Sequence, residues 1–299
     1  MRLPSKTSNV RWWSKLTQGF HEISTLLRKC EFIRQQMFSF LKDRKVDYDP
    51  NDFNNKNSLA PIIGTICDQQ ISADVAWKIP YHMNEWLKSE GKEFRASTIC
   101  EIGRDRVREW LRKFMEGKWP KRMKEEKRQQ WLNDISNYII ETCKKIASEY
   151  GDEPDNIFTV NNGNLSPPMI YFLLRQFLGI GPKKASMIAR DFGRGSSWLK
   201  SINERLKERG VTVEVKVEQI YFTEMPIDVH VRRVFGRIGF ARYSTPQDFQ
   251  NLVRLIYPEN PGLVDDFIWE LGRKICKNYS PKCPKCPLAE ICDYYKQQF

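Results

Sequence analysis

Four cysteines lie close together near the end of the 299-residue chain, and their spacing indicates metal chemistry. Cys276, Cys283, Cys286 and Cys292 are separated by six, two and five residues. Four thiolates in one compact loop suit an iron–sulfur cube, whose irons each take one cysteine. Structural zinc more often uses two short cysteine pairs, and here only Cys283 and Cys286 form such a pair. The spacing favours an iron–sulfur cluster, with zinc or free thiols as alternatives.

A glycine turn lies upstream, between two stretches with helical periodicity in FLLRQFLGIGPKKASMIARDFG (172–193). Gly179 and Gly181 permit the dihedral angles of a sharp turn, and Pro182 suits the first turn of a new helix. The exposed amides at such a helix start can bind a phosphate. The pattern predicts helix, hairpin and helix with an anion site, and a plain corner between two helices is the alternative.

An aspartate precedes another helical stretch in PIDVHVRRVFGRIG (226–239). Asp228 is placed to cap the N-terminus of that helix. A capping carboxylate at the mouth of a pocket can also assist proton transfer and stabilise a developing positive charge. The two roles are compatible, so both stay open.

These segments resemble the endonuclease III family of helix-hairpin-helix DNA base-excision glycosylases. The cysteine spacing resembles the family's [4Fe–4S] loop, LGIGPKKAS resembles its hairpin, and PIDVHV resembles its Val-Asp-x-His-Val segment. PIIGTICDQQISADVAWKI (61–79) resembles an early helix that carries a DNA-intercalating glutamine. The resemblance covers residues 58–295 and rests mainly on the first three motifs, in the family's order.

The resemblance implies a role for each motif residue. Lys183 takes the position of the nucleophilic lysine of the bifunctional members, with a phosphate contact as the alternative. Asp228 takes that of the essential aspartate, and Gln70 that of the intercalating glutamine, with Gln69 as the alternative. The remaining implied contacts are Gly179 and Gly181 on the DNA backbone, and Cys276, Cys283, Cys286 and Cys292 on a [4Fe–4S] cluster. Lys277 and Lys282 lie on the loop that such a cluster would fix, and from there they can face phosphates.

The activity implied by the resemblance is that of a base-excision-repair DNA glycosylase with abasic-site lyase activity. Its default substrate is an oxidised or saturated pyrimidine, its intermediate a Schiff base, and its partner double-stranded DNA with a damaged base or abasic site, bound by a monomer. One alternative is a monofunctional glycosylase acting on uracil, mismatches or purine lesions. The other is a non-catalytic protein that binds DNA damage.

The elements that must position these residues are mostly helical. Apolar residues at three- and four-residue steps predict helices over 19–43 and near 58–73, 74–89, 103–116, 127–149, 167–177 and 261–275, with others after Gly181 and Asp228. Alternation from Val211 to Val217 predicts a strand and a possible small β-hairpin. This stretch belongs to an insertion (192–225) that makes the connection from Lys183 to Asp228 longer than is usual in the family.

The fold class implied is a mostly α, two-lobed helix-hairpin-helix DNA glycosylase fold with a C-terminal iron–sulfur loop. The first lobe is expected to comprise residues 58–190, a helix bundle that ends in the hairpin. The second lobe is expected to combine residues 1–57 with 191–299 and to carry the cluster loop, residues 276–292.

The charge of the chain also indicates a nucleic-acid partner. The net charge of +12 suggests a polyanion, and residues 104–128 carry eleven Lys and Arg against five Asp and Glu. That stretch is a candidate phosphate-facing surface, with a solvated helix face as the alternative.

Neither a membrane-length apolar run nor a secretory signal is evident. A cytoplasmic (nucleoid-associated) or nuclear location, without secretion or membrane partner, is therefore expected.

Overall fold

The computed structural model describes residues 6–42, 53–193, 197–218, 225–241 and 245–298, and in these the predicted mostly helical fold is confirmed. The α-helices of the described residues are α1 (Lys6–Lys42), α2 (Phe53–Lys56), α3 (Leu59–Cys67), α4 (Ala73–Ala76), α5 (Ile79–Ser89), α6 (Ala96–Ile102), α7 (Arg104–Phe114), α8 (Glu125–Glu149), α9 (Pro167–Arg175), α10 (Pro182–Gly193), α11 (Ser197–Glu208), α12 (Val229–Phe235), α13 (Pro246–Ile256), α14 (Leu263–Lys274) and α15 (Asp293–Lys296). Two-residue strands β1 (Asn164–Leu165) and β2 (Lys216–Val217) complete the regular elements, together with short 3₁₀ and π turns. None of the described helices has the length and apolar character needed to cross a membrane.

The chain forms two compact units. Unit 1 comprises Met1–Lys45 and Glu224–Phe299, and unit 2 comprises Val46–Thr223. The sequence had assigned residues 46–57 and 191–223 to the lobe that carries the cysteine loop, and the described residues of these stretches, 53–57, 191–193 and 197–218, are grouped with unit 2. The reason is that α2 packs on α3, α5 and α11, which ties both ends of unit 2 to its bundle.

The core of unit 2 surrounds α3, which is buried along its whole length. Long helix α8 presents Trp131, Ile135 and Ile139 to this core, at the four-residue spacing of one helix face. Burial of each such side chain stabilises the fold by roughly 1.5–3 kcal/mol. The apolar periodicity in the sequence of α8 therefore corresponds to a helix face that is buried in the core.

The insertion packs into unit 2 through α11. Trp198, Ile202 and Leu206 are buried at four-residue intervals, and the Trp198 ring lies edge-on to Phe158 and Phe192, with ring centroids 5.6 and 4.6 Å away. The insertion helix is thus an integral part of the bundle.

The segment after α11 pairs in parallel where the sequence suggested a hairpin. Asn164 lies opposite Lys216 and Leu165 opposite Val217. Gly163 lets the backbones approach, because a Cβ atom there would lie 2.4 Å from the Glu214 carbonyl oxygen. In residues 211–218 the valine alternation therefore produces only this two-residue strand, and residues 219–224 lie outside the described residues.

A buried ionic cluster joins α11 to the rest of unit 2. Arg205 donates through Nε and Nη2 to the two carboxylate oxygens of Asp155, at 2.8 Å each. Ser58 Oγ bonds to the same carboxylate and accepts from Arg205 Nη2 at 2.7 Å and from Trp198 Nε1 at 2.9 Å. The Asp155 side chain is only 5% exposed. The Arg205 guanidinium therefore supplies the opposite charge and the hydrogen bonds that a buried carboxylate requires.

Unit 1 is built from α1, α12, α13 and α14 around a core that includes Ile33, Phe235, Phe267 and Ile268. Helices α12 and α14 approach closely at Gly272, where a Cβ atom would lie 2.6 Å from Cβ of His230. His230 therefore packs against α14 at this point.

Candidate functional site

The predicted hairpin forms between α9 and α10, and its two glycines have different reasons to be glycine. Gly179 has φ +82°, and a Cβ atom there would lie 2.6 Å from the Tyr138 ring. Gly181 lacks a left-handed φ, and a Cβ there would meet nothing within 4 Å. Arg175 stabilises the turn by donating to the Ile180 carbonyl oxygen at 2.8 Å. The turn itself therefore depends on Gly179, whereas Gly181 leaves open space beside the start of α10.

Gly179→Ala is expected to destabilise unit 2 by about 2 kcal/mol, because alanine disfavours the left-handed conformation by roughly 1–2 kcal/mol and its methyl group meets the tyrosine ring. Gly181→Ala is the matched control and should change the free energy of unfolding by less than about 1 kcal/mol. Urea unfolding of the full chain measures both. Equal losses for the two variants contradict this account of the turn.

The two lysines after the hairpin have different surroundings. Lys183 is the second residue of α10 and is exposed. Lys184 is largely buried, and its ammonium donates to the carbonyl oxygens of Ile66 and Gly179, both at 2.9 Å. Burial lowers the pKa of Lys184 to about 8. Of the two, Lys183 is the lysine with the exposed side chain.

The glutamine segment differs from its prediction, because α3 ends at Cys67 and Gln70 lies in the following loop. Gln70 is exposed and has a left-handed backbone with φ +61°. Gln69 is instead half-buried. Its side-chain Nε2 donates to Ile66 O at 2.9 Å, and its backbone carbonyl oxygen accepts from Trp131 Nε1 at 2.8 Å. These two bonds leave Gln70 as the accessible glutamine of the pair.

Asp228 caps α12 in unit 1, as the sequence predicted. Its Oδ1 accepts hydrogen bonds from the amides of His230 and Val231 at 2.8 and 2.9 Å. The residue is half-buried, beside the exposed Val229. Lys183 belongs to unit 2 and Asp228 to unit 1, so the structure establishes the surroundings of each residue separately.

The four C-terminal cysteines line one small, apolar cavity in unit 1. Each is half-buried, and burial raises the pKa of the Cys286 thiol to about 11. Across the described ranges, no group of three or more His, Cys, Asp or Glu side chains is placed to hold a single metal ion.

The other cysteines lie apart from this loop. Cys30, Cys67 and Cys143 are buried thiols, and Cys100 is half-buried.

Two arginines hold the cysteine loop: Arg233 in α12 and Arg237 in the π-helical turn that follows it (Gly236–Phe240). Neither was among the residues predicted from the sequence. Arg237 Nη1 donates to Cys276 Sγ at 3.3 Å and to Lys277 O at 2.7 Å, while its guanidinium lies over the Tyr294 ring. Arg233 Nε donates to Cys276 O at 2.7 Å. The four-residue spacing of these arginines on one helix face was the available signal. Lys277 is exposed, so its side chain points away from this anchoring network.

The lysines predicted to contact phosphates, Lys277 and Lys282, are both exposed on the loop. The Lys282 backbone amide donates to Ile275 O at 3.0 Å, which fixes the chain between the first two cysteines. Their placement is compatible with a phosphate contact.

The basic stretch 104–128 has many of its cations paired within the protein. Arg106 bonds to Glu90 at 2.6 Å, and Arg112 bonds to Glu109 at 2.7 Å. The Arg112 guanidinium lowers the pKa of Glu109 to about 2. Trp110 stacks on the ring of a neighbouring tryptophan, with centroids 5.4 Å apart. These contacts favour the solvated helix face over a phosphate-facing surface.

Comparison with known proteins shows sequence similarity to endonucleases III. Endonuclease III of Rickettsia conorii is 42% identical over 74 residues, which are 24% of this chain and 34% of the relative. Endonuclease III of Buchnera aphidicola subsp. Baizongia pistaciae is 26% identical over 164 residues, 54% of this chain and 57% of the relative. No protein-family model matches the chain.

A solved structure extends the likeness to nearly the whole chain. The structure of a trapped endonuclease III–DNA covalent intermediate matches with a TM-score of 0.57 and 16% identity, covering 91% of this chain and 98% of that one. The chain has an endonuclease III-like fold. The resemblance to the endonuclease III-like helix-hairpin-helix superfamily is thereby confirmed. This endonuclease III-like chain spans about a third of the length of the first curated relatives that it matches.

Proposed function

We propose that this endonuclease III-like chain is a base-excision DNA glycosylase with abasic-site lyase activity. The observation that carries the proposal is an exposed lysine, Lys183, in the first turn of the helix that follows the glycine hairpin. An amine at an accessible helix start next to a phosphate-binding turn is suited to attack the sugar of a bound nucleotide. The resemblance assigns the nucleophile to this same position.

The proposed reaction begins when the neutral amine of Lys183 attacks C1′ of the damaged nucleotide. The bond from C1′ to the base breaks, and the base leaves with the electron pair and takes up a proton. The adduct loses a proton and opens to a Schiff base. Removal of a C2′ proton then expels the 3′ phosphate by β-elimination. Asp228 is proposed to accept the lysine proton and to stabilise the positive charge on the sugar.

The proposed partner is double-stranded DNA that contains a damaged base or an abasic site. Exposed Gln70 is proposed to fill the space left by the extruded nucleotide, because a flipped base leaves its neighbours unstacked. The hairpin and the exposed lysines of the cysteine loop, Lys277 and Lys282, are proposed to contact phosphates. The net charge of +12 agrees with a polyanionic partner. An oxidised or saturated pyrimidine is the proposed default substrate.

Borohydride trapping of the full chain on abasic DNA tests the activity, alongside incubation with duplexes that each carry one lesion. A covalent adduct and base release are expected. Base release without an adduct identifies a monofunctional enzyme that acts on uracil, mismatched bases or purine lesions. Tight binding without either product identifies a damage-binding protein and rejects the proposed activity.

The cysteine loop is proposed to hold a [4Fe–4S] cluster through Cys276, Cys283, Cys286 and Cys292. The supporting observations are the shared apolar cavity and the hydrogen bond from Arg237 to Cys276 Sγ at 3.3 Å. A bound cluster supplies a rigid cross-link between the four positions. In that role it fixes the loop on which Lys277 and Lys282 lie.

Protein purified without oxygen is expected to contain about four irons per chain and to absorb near 400 nm. Cys286→Ser should lose both the iron and the absorbance, because it removes one of the four proposed ligands. Cys100→Ser, a half-buried cysteine outside the loop, is the control and should keep them. A colourless protein with about one zinc per chain contradicts the cluster and supports the zinc alternative.

A further inference from the structure

Lys184 links two elements of unit 2 through one ammonium group. Its Nζ donates to the carbonyl oxygen of Ile66, in the last turn of α3, and to that of Gly179, in the hairpin, at 2.9 Å each. Carbonyls at the end of a helix lack partners within the helix, and charge-assisted hydrogen bonds are stronger than neutral ones. The ammonium therefore joins the end of α3 to the proposed phosphate-binding turn.

The same Ile66 carbonyl also orders the loop that carries Gln70. Gln69 Nε2 donates to this oxygen at 2.9 Å, and Trp131 Nε1 holds the Gln69 carbonyl at 2.8 Å. Gln70 follows directly, exposed and with φ +61°. Lys184 and Gln69 thus converge on one oxygen, immediately before the exposed glutamine.

Burial of the Lys184 ammonium has a cost in fold stability that depends on pH. Burial, and to a lesser extent the charge of Lys183, lowers the pKa of Lys184 to about 8, although Cys67 and Asp68 oppose the shift. A folded pKa below the ordinary value of 10.5 means that the charged form is disfavoured on folding. This unfavourable contribution is present below about pH 8 and disappears as the pH rises from 8 to 10.5.

We propose that Lys184 is a positioning residue that couples the hairpin to Gln70, so that the two engage DNA in a fixed relation. The inference rests on the proposed function, which supplies the phosphate contact of the hairpin and the intercalating role of Gln70. Lys184 itself does not attack the sugar, because its ammonium is held by two carbonyl oxygens of the protein.

A double-mutant cycle tests this coupling. Dissociation constants are measured by fluorescence anisotropy for the wild type, Lys184→Met, Gln70→Ala and the double variant, using a duplex with a tetrahydrofuran abasic-site analogue. Each single change is expected to weaken binding about tenfold, which corresponds to roughly one charge-assisted hydrogen bond or one stacking contact. The double variant should bind about as weakly as the weaker single variant, because coupled residues are not additive.

Two controls separate positioning from a general loss of structure. Lys88→Met removes an exposed lysine of the same unit, paired with Glu85 at 3.2 Å, and should combine additively with Gln70→Ala. The urea midpoint of Lys184→Met should stay close to that of the wild type. Additive losses of about a hundredfold in the Lys184–Gln70 cycle, or unchanged affinity in Lys184→Met, overturn the inference. A wild type that does not prefer the abasic duplex to an intact one rejects the proposed function itself.

Discussion

Lys183→Ala is expected to abolish the borohydride-trapped adduct on abasic DNA, with a loss of at least about a thousandfold in the rate of adduct formation. In the proposed reaction the amine of Lys183 forms the covalent bond, so we expect no neighbouring group to replace it. Lys184 cannot substitute, because its Nζ is hydrogen-bonded to Ile66 O and Gly179 O and one helical residue turns the chain by about 100°. Denaturing gel electrophoresis of trapped complexes gives the measurement.

The matched control for this variant is Lys207→Ala, which removes another exposed lysine of unit 2 and should leave trapping unchanged. Asp228→Asn is informative beside it. Asparagine caps helices about as well as aspartate, so α12 should persist while the carboxylate charge is lost and base release slows by about 10²–10⁴. An undiminished adduct in Lys183→Ala contradicts the assignment of the nucleophile. Undiminished base release in Asp228→Asn contradicts the role of the acid.

Arg205→Met is expected to lower the free energy of unfolding of unit 2 by about 3–5 kcal/mol. The guanidinium makes two bonds of 2.8 Å to Asp155, whose side chain is 5% exposed. Its removal leaves a buried carboxylate with Ser58 as a remaining partner. Urea unfolding followed by circular dichroism measures the loss.

A nearby arginine provides the contrast. Arg209 pairs with Glu153 at 3.2 Å, and its side chain is 28% exposed against 21% for Arg205. The Glu153 carboxylate is 35% exposed, however, so Arg209→Met should cost no more than about 1 kcal/mol. The double variant Asp155→Leu with Arg205→Met should recover much of the loss, since apolar replacement of both partners removes the uncompensated charge. A small effect of Arg205→Met alone contradicts the view that this pair holds the insertion in unit 2.

Most helices could be predicted from the sequence because their apolar spacing is set by a local rule. Trp131, Ile135 and Ile139 illustrate this, since they lie on one face of α8 and all are buried. The end of α3 could not be read in this way. The helical pattern continues to residue 73, whereas the chain leaves the helix after Cys67, where Lys184 and Gln69 bond to the Ile66 carbonyl. Lys184 is distant in sequence, so its effect on that helix end has no local signal.

The insertion is a second case in which contacts between residues distant in sequence, and not the local pattern, determined the structure. Valines at alternate positions predicted a strand with a possible hairpin. Within the described residues 211–218, only Lys216 and Val217 pair, and their partner is β1 (Asn164–Leu165), which precedes Lys183 in the chain. Asn203 fixes the segment by bonding to both the carbonyl and the amide of Val215, at 2.9 and 2.7 Å. The assignment of the insertion to unit 2 follows from these bonds and from the Arg205–Asp155 pair, neither of which has a sequence pattern.

The sequence by itself determined the helical fold, the glycine turn before Lys183, the cap at Asp228 and the grouping of four cysteines. Each depends on residues within a few positions of one another, where backbone geometry and spacing decide the outcome. Only the tertiary structure showed that Gln70 rather than Gln69 is exposed, that Lys184 is bound internally, and that Arg233 and Arg237 hold the cysteine loop. Burial and hydrogen-bond partners depend on residues far apart in the chain, and folding alone brings these together.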